Sequence, residues 1–362
     1  MTHREYWFWL CGIPGVGAAA IKKLLEEYKA PEELFALPEE MVSEISFLSD
    51  SQKKAFLHFR EEERVRKEFD RMTSLGIYFT TIEEETYPAR LRQIYDPPAG
   101  LFYKGKLPAD DVPAAAIVGA RNCSPYGREV TLAFAEALAR SGISVISGLA
   151  RGVDGFAHQG ALRGNGATFG ILGCGVDICY PRQHLELYLQ MQEKGGVLSE
   201  QLPGNAPVPR NFPMRNRLIA ALSDVILVVE AREKSGSLIT VDSGLELGRE
   251  IFAVPGRIND SLSGGCNLLI KNGAVPALSP ADVLQHFSDL EQISMPEEPV
   301  KLILDSTEKI VYACLDLVPK NIQFIVNHVQ MDPPAVMECL DGLVLKGLIQ
   351  EISRGYYIRT GL

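Results

Sequence analysis

From Ala114 onward the apolar residues fall in short continuous runs, separated by glycine-containing polar loops and by longer stretches with helical periodicity. The runs are AAAIVGA (114–120), ISVISG (143–148), ATFGILG (167–173), GGVLSE (195–200), DVILVVEA (224–231), EIFAVPG (250–256) and AVPAL (274–278). Amphipathic segments such as GREVTLAFAEALARSG (127–142) lie between most of them. Strands that are apolar without alternation are buried on both faces. Their regular exchange with helices predicts a doubly wound, mostly parallel sheet of Rossmann type. In such a sheet ligands bind beyond the carboxyl ends of the strands.

The flanks read differently. Residues 1–70 alternate helical periods with short breaks. GIPGVGAAAIKKLL carries the G-V-G turn of a helix-hairpin-helix, in which Gly15 and Gly17 open a helix at Ala18. Such a turn can aim backbone N–H groups at a phosphate, or can serve only to pack small helices. GIYFTTI (76–82) predicts a short strand, followed by a proline-bounded connection, YPARLRQIYDPPAGLFYKG (87–105). The acidic SDLEQISMPEEPVK (288–301) marks a linker, assigned to residues 291–300. Beyond it, three helical stretches and LIQEISRGYYIR, two strands around Arg354-Gly355, predict a winged helix-turn-helix over residues 301–362. The expected organisation is thus a helical domain at 1–70, an extended Rossmann domain at 71–290, the linker, and the winged helix.

Composition narrows the class. The chain has 362 residues, 46% hydrophobic and 23% charged, as in folded soluble proteins. No leader peptide and no bilayer-spanning run is expected, so the chain reads as cytoplasmic and not membrane-bound. Seven scattered cysteines without a CxxC pair argue against a zinc site or disulfide framework, and no metal or cofactor is expected. Net charge is −10, which excludes a polybasic coat for DNA. Between Val112 and Pro280, however, 15 Lys/Arg stand against 14 Asp/Glu, so any cationic site there depends on individually placed arginines.

The loops after the strands carry those arginines. VGARNCSPYG holds Gly119, Arg121 and Ser124, and SGLARGVDGFAH holds Ser147, Gly148, Arg151 and Asp154. GCGVDICYPRQH holds Tyr180 and Arg182, and NFPMRNRLIAALSD holds Phe212, Arg215, Asn216 and Arg217. EAREKSGSLIT holds Lys234, Ser235 and Gly236, and PGRINDSLSGGCN holds Arg257, Gly265 and Asn267. On a parallel sheet these loops share one rim. Glycines let backbone N–H groups approach an anion, and arginine offers a two-pronged phosphate contact. Several such loops on one rim point to an extended polyanion. The alternative is tight turns with solvated arginines. Arg215 and Arg217 are expected in the opening turn of a helix, where the dipole disfavours cations unless an anion joins them.

Enzymatic motifs are wanting. There is no GxxxxGK[ST], no HExxH and no GxSxG, and no clean GxGxxG follows the first strand with an acid about 20 residues on. Asp154 and His158 are an i, i+4 pair that reads as polar packing.

VGARNCSPYG, SGLARGVDGFAHQGAL, ILGCGVDICYP, FPMRNRLIAALSD, SGSLITVDSGLELGREIFAVPG and GGCNLLIKNGA occur in an order and spacing that resemble the bacterial DNA-processing protein A family, DprA or Smf. The resemblance spans roughly Tyr87 to Ala277. It implies a non-enzymatic protein that binds single-stranded DNA without strong sequence preference. Such a protein protects incoming strands and loads the RecA recombinase during natural transformation. It acts as a homodimer, with dimer and RecA contacts on the later part of the Rossmann domain. The family's DNA-contacting positions fall on Arg121, Arg151, Phe212, Arg215 and Arg217, with Arg182, Lys234 and Asn267 as further candidates. The helical flank then resembles a sterile-alpha-motif-like domain. In the winged helix, PPAVMECLDGLVLKG carries Glu338, Asp341 and only Lys346, a poor composition for reading duplex DNA and a better one for contacting protein. Two other readings stand beside this one. Nucleotide phosphoribohydrolases of related architecture carry a PGGxGTxxE loop, but SGSLITVDSGLE places Ser243 where the acid would stand, with Glu246 later. A protein scaffold without DNA binding would fill the rim with carboxylates from a partner.

Overall fold

The computed structural model describes residues 1–289 and 304–359. The expected linker at 291–300 lies outside them. A nine-stranded sheet organises the larger part of the chain. Its strands are β1 (Tyr78–Thr81), β2 (Gly100–Gly105), β3 (Ala114–Val118), β4 (Ser144–Ser147), β5 (Thr168–Ile171), β6 (Gly196–Ser199), β7 (Val225–Val228), β8 (Glu250–Ala253) and β9 (Val275–Pro276). The spatial order is β1-β2-β6-β5-β4-β3-β7-β8-β9. From β6 to β9 every neighbouring pair is parallel. All seven predicted runs are strands of one sheet, and their carboxyl ends open on one rim. The sheet is mostly parallel and Rossmann-like, as its uninterrupted apolar strands require. β3, β4, β5, β6 and β7 are buried along their whole length.

The proline-bounded connection is more than a connection. Its last segment, GLFYKG, is β2, antiparallel to both β1 and β6, with Phe102 opposite Phe79 and Ser199. Leu101 and Phe102 point into two different apolar clusters, one under the sheet and one under the amino-terminal helices. Their burial recruits a segment whose bounding glycines hid it in the sequence.

Chain reversal gives the sheet its functional geometry. From β3 the chain steps outward through β4 and β5 to β6. It then crosses back along the helix Asn211–Ala221 to β7, on the other side of β3. The carboxyl ends of β3 and β7 therefore diverge into loops that leave in opposite directions, which opens a crevice at this switch point.

Six helices between His3 and Ser74 precede the sheet. Trp7, Phe8, Trp9 and Leu10 of the first helix anchor a cluster that includes Phe79 and Phe102. In the G-V-G turn Gly15 adopts φ +80°, and its carbonyl accepts the Gln52 side-chain amide at 2.6 Å. At the other end, helices Ser306–Cys314, Ile322–Val329 and Pro333–Leu345 precede the hairpin β11 (Ile349–Ser353) and β12 (Tyr356–Arg359). A two-residue strand, β10 (Lys320–Asn321), pairs with β12 to complete a small antiparallel sheet of winged-helix type. All seven cysteines are free thiols. Among the described residues, no helix is long and apolar enough to cross a membrane, and no group of three or more His, Cys, Asp or Glu could hold a metal.

Candidate nucleic-acid interface

A cleft of about 510 Å³ lies where β3 and β7 diverge. Gly119 and Arg121 line it from the loop after β3, Phe212, Arg215 and Asn216 from the helix after β6, and Lys234 and Gly236 from the loop after β7. Ser235 and Ser237 of the same loop add hydroxyls and Asp154 lines the floor, Asn122 and Arg232 add donors that the sequence did not single out, and Ile219 and Ile239 add apolar surface. Residues from four of the rim loops thus meet in one concavity, although they lie in separate stretches of chain.

The centre is built on Arg215, which is 4% exposed. Its Nη1 donates to the Gly148 carbonyl at 2.8 Å and its Nε to the Asn216 side-chain oxygen at 3.2 Å. Asp154, also buried, accepts from the Gly148 N–H at 3.1 Å. Gly148 is therefore held on both sides. A Cβ there would lie 2.6 Å from Asp154 Oδ2 and 2.7 Å from Arg215 Nη2, so a side chain at this position displaces one or both of these groups. Burial lowers the Arg215 pKa to about 10, opposed by the Asp154 carboxylate, and the guanidinium stays charged at neutral pH. Burial likewise raises the Asp154 carboxyl above its usual range, against the pull of Arg215.

Arg121 approaches the same centre from above, its guanidinium 5.7 Å from the Phe212 ring centroid. Among the described residues, no carboxylate lies within ion-pair distance of Arg121, Arg151, Arg182 or Lys234. All four are exposed. Arg151 and Arg182 lie outside the cleft, on the loops after β4 and β5. These unpaired cations on one rim are the feature that suits a polyanion.

Other expected site residues are engaged within the protein. Ser147 is fully buried and donates to the Ile117 carbonyl at 2.6 Å, under the rim rather than on it. The Gly265 N–H is used by the Ala231 carbonyl at 2.8 Å. Asn267 pairs with both backbone groups of Gly256, at 3.2 and 3.0 Å, and so clamps its own loop. Arg217 is held by Glu200 at 2.6 Å and Asp96 at 3.0 Å. The opening-turn expectation also changes. The helix begins at Asn211, so Phe212 and Pro213 occupy its first turn and the two arginines its second. The helix dipole is weak there, and Arg217 already has its anions in the protein.

One functional group was not visible in the sequence. Glu230, just past β7, accepts from the Ser124 N–H at 2.8 Å and the Ser124 hydroxyl at 2.5 Å. Ser124 caps the helix Pro125–Arg140. The carboxylate therefore occupies the helix start that a dinucleotide pyrophosphate uses in nucleotide-binding relatives of this architecture. His158 is fully buried against Thr168, at 2.7 Å, and burial lowers its pKa to about 3. It packs against Thr168 and not against Asp154, the partner that its i, i+4 spacing suggested.

Fold and cleft together define a class: a doubly wound domain whose switch-point crevice offers guanidinium, ammonium, amide and hydroxyl groups to an anion, with a carboxylate at its first helix start. The family model for DNA recombination-mediator protein A matches residues 78–288. The DNA processing protein DprA of Streptococcus pneumoniae R6 is 40% identical over 227 residues, 63% of this chain and 78% of that protein. Protein Smf of Escherichia coli K12 is 43% identical over 205 residues, 56% of this chain and 55% of that protein. The X-ray structure of Streptococcus pneumoniae DprA superimposes with a TM-score of 0.68 at 34% identity, over 79% of this chain and 98% of that one. A Helicobacter pylori DprA structure, described for its single-stranded DNA binding mode, gives 0.53 at 30% identity, over 60% of this chain and 97% of that one. The chain belongs to the DNA recombination-mediator protein A family, DprA/Smf.

Proposed function

We propose that this protein binds single-stranded DNA along the rim, with little sequence preference, and passes the strand to the RecA recombinase during DNA uptake, working in the cytoplasm as a homodimer. The observation that carries the proposal is the set of unpaired, exposed cations, Arg121, Arg151, Arg182 and Lys234, arrayed around a cleft whose centre holds the buried Arg215. Cations contact phosphates and carry no base code, so such a rim binds any sequence. Membership of the DprA/Smf family supports the DNA and RecA parts of the reading. The role is one of binding, without metal or cofactor. The only carboxylate lining the cleft among the described residues is Asp154, which is tied to backbone amides beneath Arg215. Asp242 and Glu246, the acids that flank Ser243 at the phosphoribohydrolase position, are both exposed on their helix.

The test is binding of oligo-dT over a salt series. Single-strand affinity falls with salt by about 0.7 logarithmic unit per phosphate contact. Arg121→Ala should weaken binding and flatten the slope by about that amount. A mobility shift with RecA present should show a larger complex. Parent-like affinity and slope for Arg121→Ala would remove the site assignment, and no shift with any single strand would remove the function.

A further inference from the structure

Two large aromatic rings meet above the rim without belonging to any apolar core. Phe212 opens the helix after β6, and Tyr180 lies in the loop after β5. Their ring centroids are 5.6 Å apart, with the planes inclined at 35°. Neither ring belongs to any of the five apolar clusters among the described residues.

The two rings differ in what surrounds them. Phe212 has the Arg121 guanidinium 5.7 Å from its centroid and that of Arg215 at 6.0 Å. It also lies on the backbone of Gly173, where a Cβ would stand 3.1 Å from its Cδ1. Among the described residues Tyr180 has Phe212 as its one ring neighbour, and it is 46% exposed. Two residues on, the exposed Arg182 begins a short helical turn.

We infer that Tyr180, rather than Phe212, presents the face on which a DNA base stacks, with Phe212 as its backing and Arg121 and Arg182 on either side for the neighbouring phosphates. The inference rests on the proposed single-strand binding and adds the ring that reads the bases. An exposed tyrosine alone would lose side-chain freedom on stacking. Contact with the half-buried Phe212 settles much of that ordering in advance. Every base has an aromatic face, so the contact adds affinity without sequence preference. It also sets the path of the strand, from Lys234 through the cleft, past Arg121, and out over Tyr180 toward Arg182.

The experiment uses the full chain with Tyr180→Ala, Tyr180→Phe and Tyr180→Trp, and two probes of equal length, oligo-dT and an abasic oligomer. Stacking on one aromatic ring changes affinity roughly five- to a hundredfold. Tyr180→Ala should lose about tenfold or more on oligo-dT and nothing on the abasic strand, with an unchanged salt slope, while Tyr180→Phe binds like the parent. The tryptophan of Tyr180→Trp should be quenched by oligo-dT and not by the abasic strand. Trp7 and Trp9, at 0% and 3% exposed, supply a constant background. Equal losses on both probes, parent-like binding by Tyr180→Ala, or unaltered emission from the introduced tryptophan would each overturn the assignment while leaving single-strand binding in place. Absence of oligo-dT binding by the parent would remove both.

Discussion

Glu230 offers the sharpest test of what holds the start of the first helix after β3. Its carboxylate sits at the amino end of the helix Pro125–Arg140 and is bonded to the N–H and hydroxyl of Ser124. Glu230→Ala removes both bonds and orphans the Ser124 amide, which costs about 1–3 kcal/mol. Loss of a negative charge at a helix start adds about 0.3–1 kcal/mol. Burial works the other way, since it raises the Glu230 carboxyl above its usual range and makes the charged form less favourable to keep. The expected net loss is about 2 kcal/mol, a fall of roughly 4–8 °C in melting temperature. Glu230→Gln keeps an acceptor of the same shape and should lose about 1 kcal/mol. Urea unfolding with and without inorganic phosphate reads both effects. The alanine variant opens a helix start of the kind that binds anions, and phosphate at five times its Kd would restore about 1 kcal/mol. The parent and the glutamine variant should gain less. The reasoning is refuted if alanine is no more damaging than glutamine, or if phosphate stabilises all three proteins alike.

Two further outcomes follow from buried charges. Arg217→Ala leaves Glu200 without its cation, and Glu200 is already raised by burial. Urea unfolding should show a loss of about 3 kcal/mol, and Arg217→Ala/Glu200→Gln should recover most of it. The salt slope for oligo-dT should stay at the parent value, and a flattened slope would return Arg217 to the DNA site. His158 has a folded pKa of about 3 against an ordinary 6.5. Below pH 6.5 the unfolded chain takes the proton and the folded one does not, so stability falls as pH drops toward 3. Between pH 7 and 5 the loss is about 2 kcal/mol. The raised carboxyls of Asp154, Glu200 and Glu230 act in the opposite direction in any variant. Parent minus His158→Gln, each unfolded in urea at pH 7 and pH 5, therefore isolates the histidine, and identical pH dependence would contradict its burial as a neutral ring.

The strands were legible because burial on both faces leaves them apolar without alternation, and parallel pairing then forces their loops onto one rim. Arg121, Phe212, Arg215 and Lys234 follow from that geometry alone. What stayed hidden depends on partners distant in sequence. Glu230 reads as a polar residue at a strand end, and Ser124 lies 106 residues away. Arg215 and Arg217 looked equivalent in NFPMRNRL. Two positions along a helix are about 200° apart, so one faces the cleft and the other faces Asp96 and Glu200. The missing element was the helix start. Once Asn211 is known to be the first residue, the division of roles follows. β2 escaped because its apolar content is little more than Leu101 and Phe102 between glycines, and only its two partner strands make it a strand.

How a protein of net charge −10 can suit a polyanion follows from where its carboxylates go. In the sheet domain the two signs nearly cancel, so a cationic rim arises only if acids are consumed elsewhere. Glu230 closes a helix start, Asp154 holds the backbone beneath Arg215, and Glu200 and Asp96 hold Arg217. Each of these four carboxylates is committed to a protein donor near the rim. Arg121, Arg151, Arg182 and Lys234 are left facing solvent without a counter-charge. The surplus acid lies toward the two ends of the chain. At physiological ionic strength its field is screened over about 8 Å, whereas a phosphate in contact with an arginine is screened far less. Local pairing, and not net charge, decides what this surface attracts. The same pairing sets Arg217, bound to Asp96 and Glu200, apart from the exposed cations although it stands two residues from the centre of the cleft.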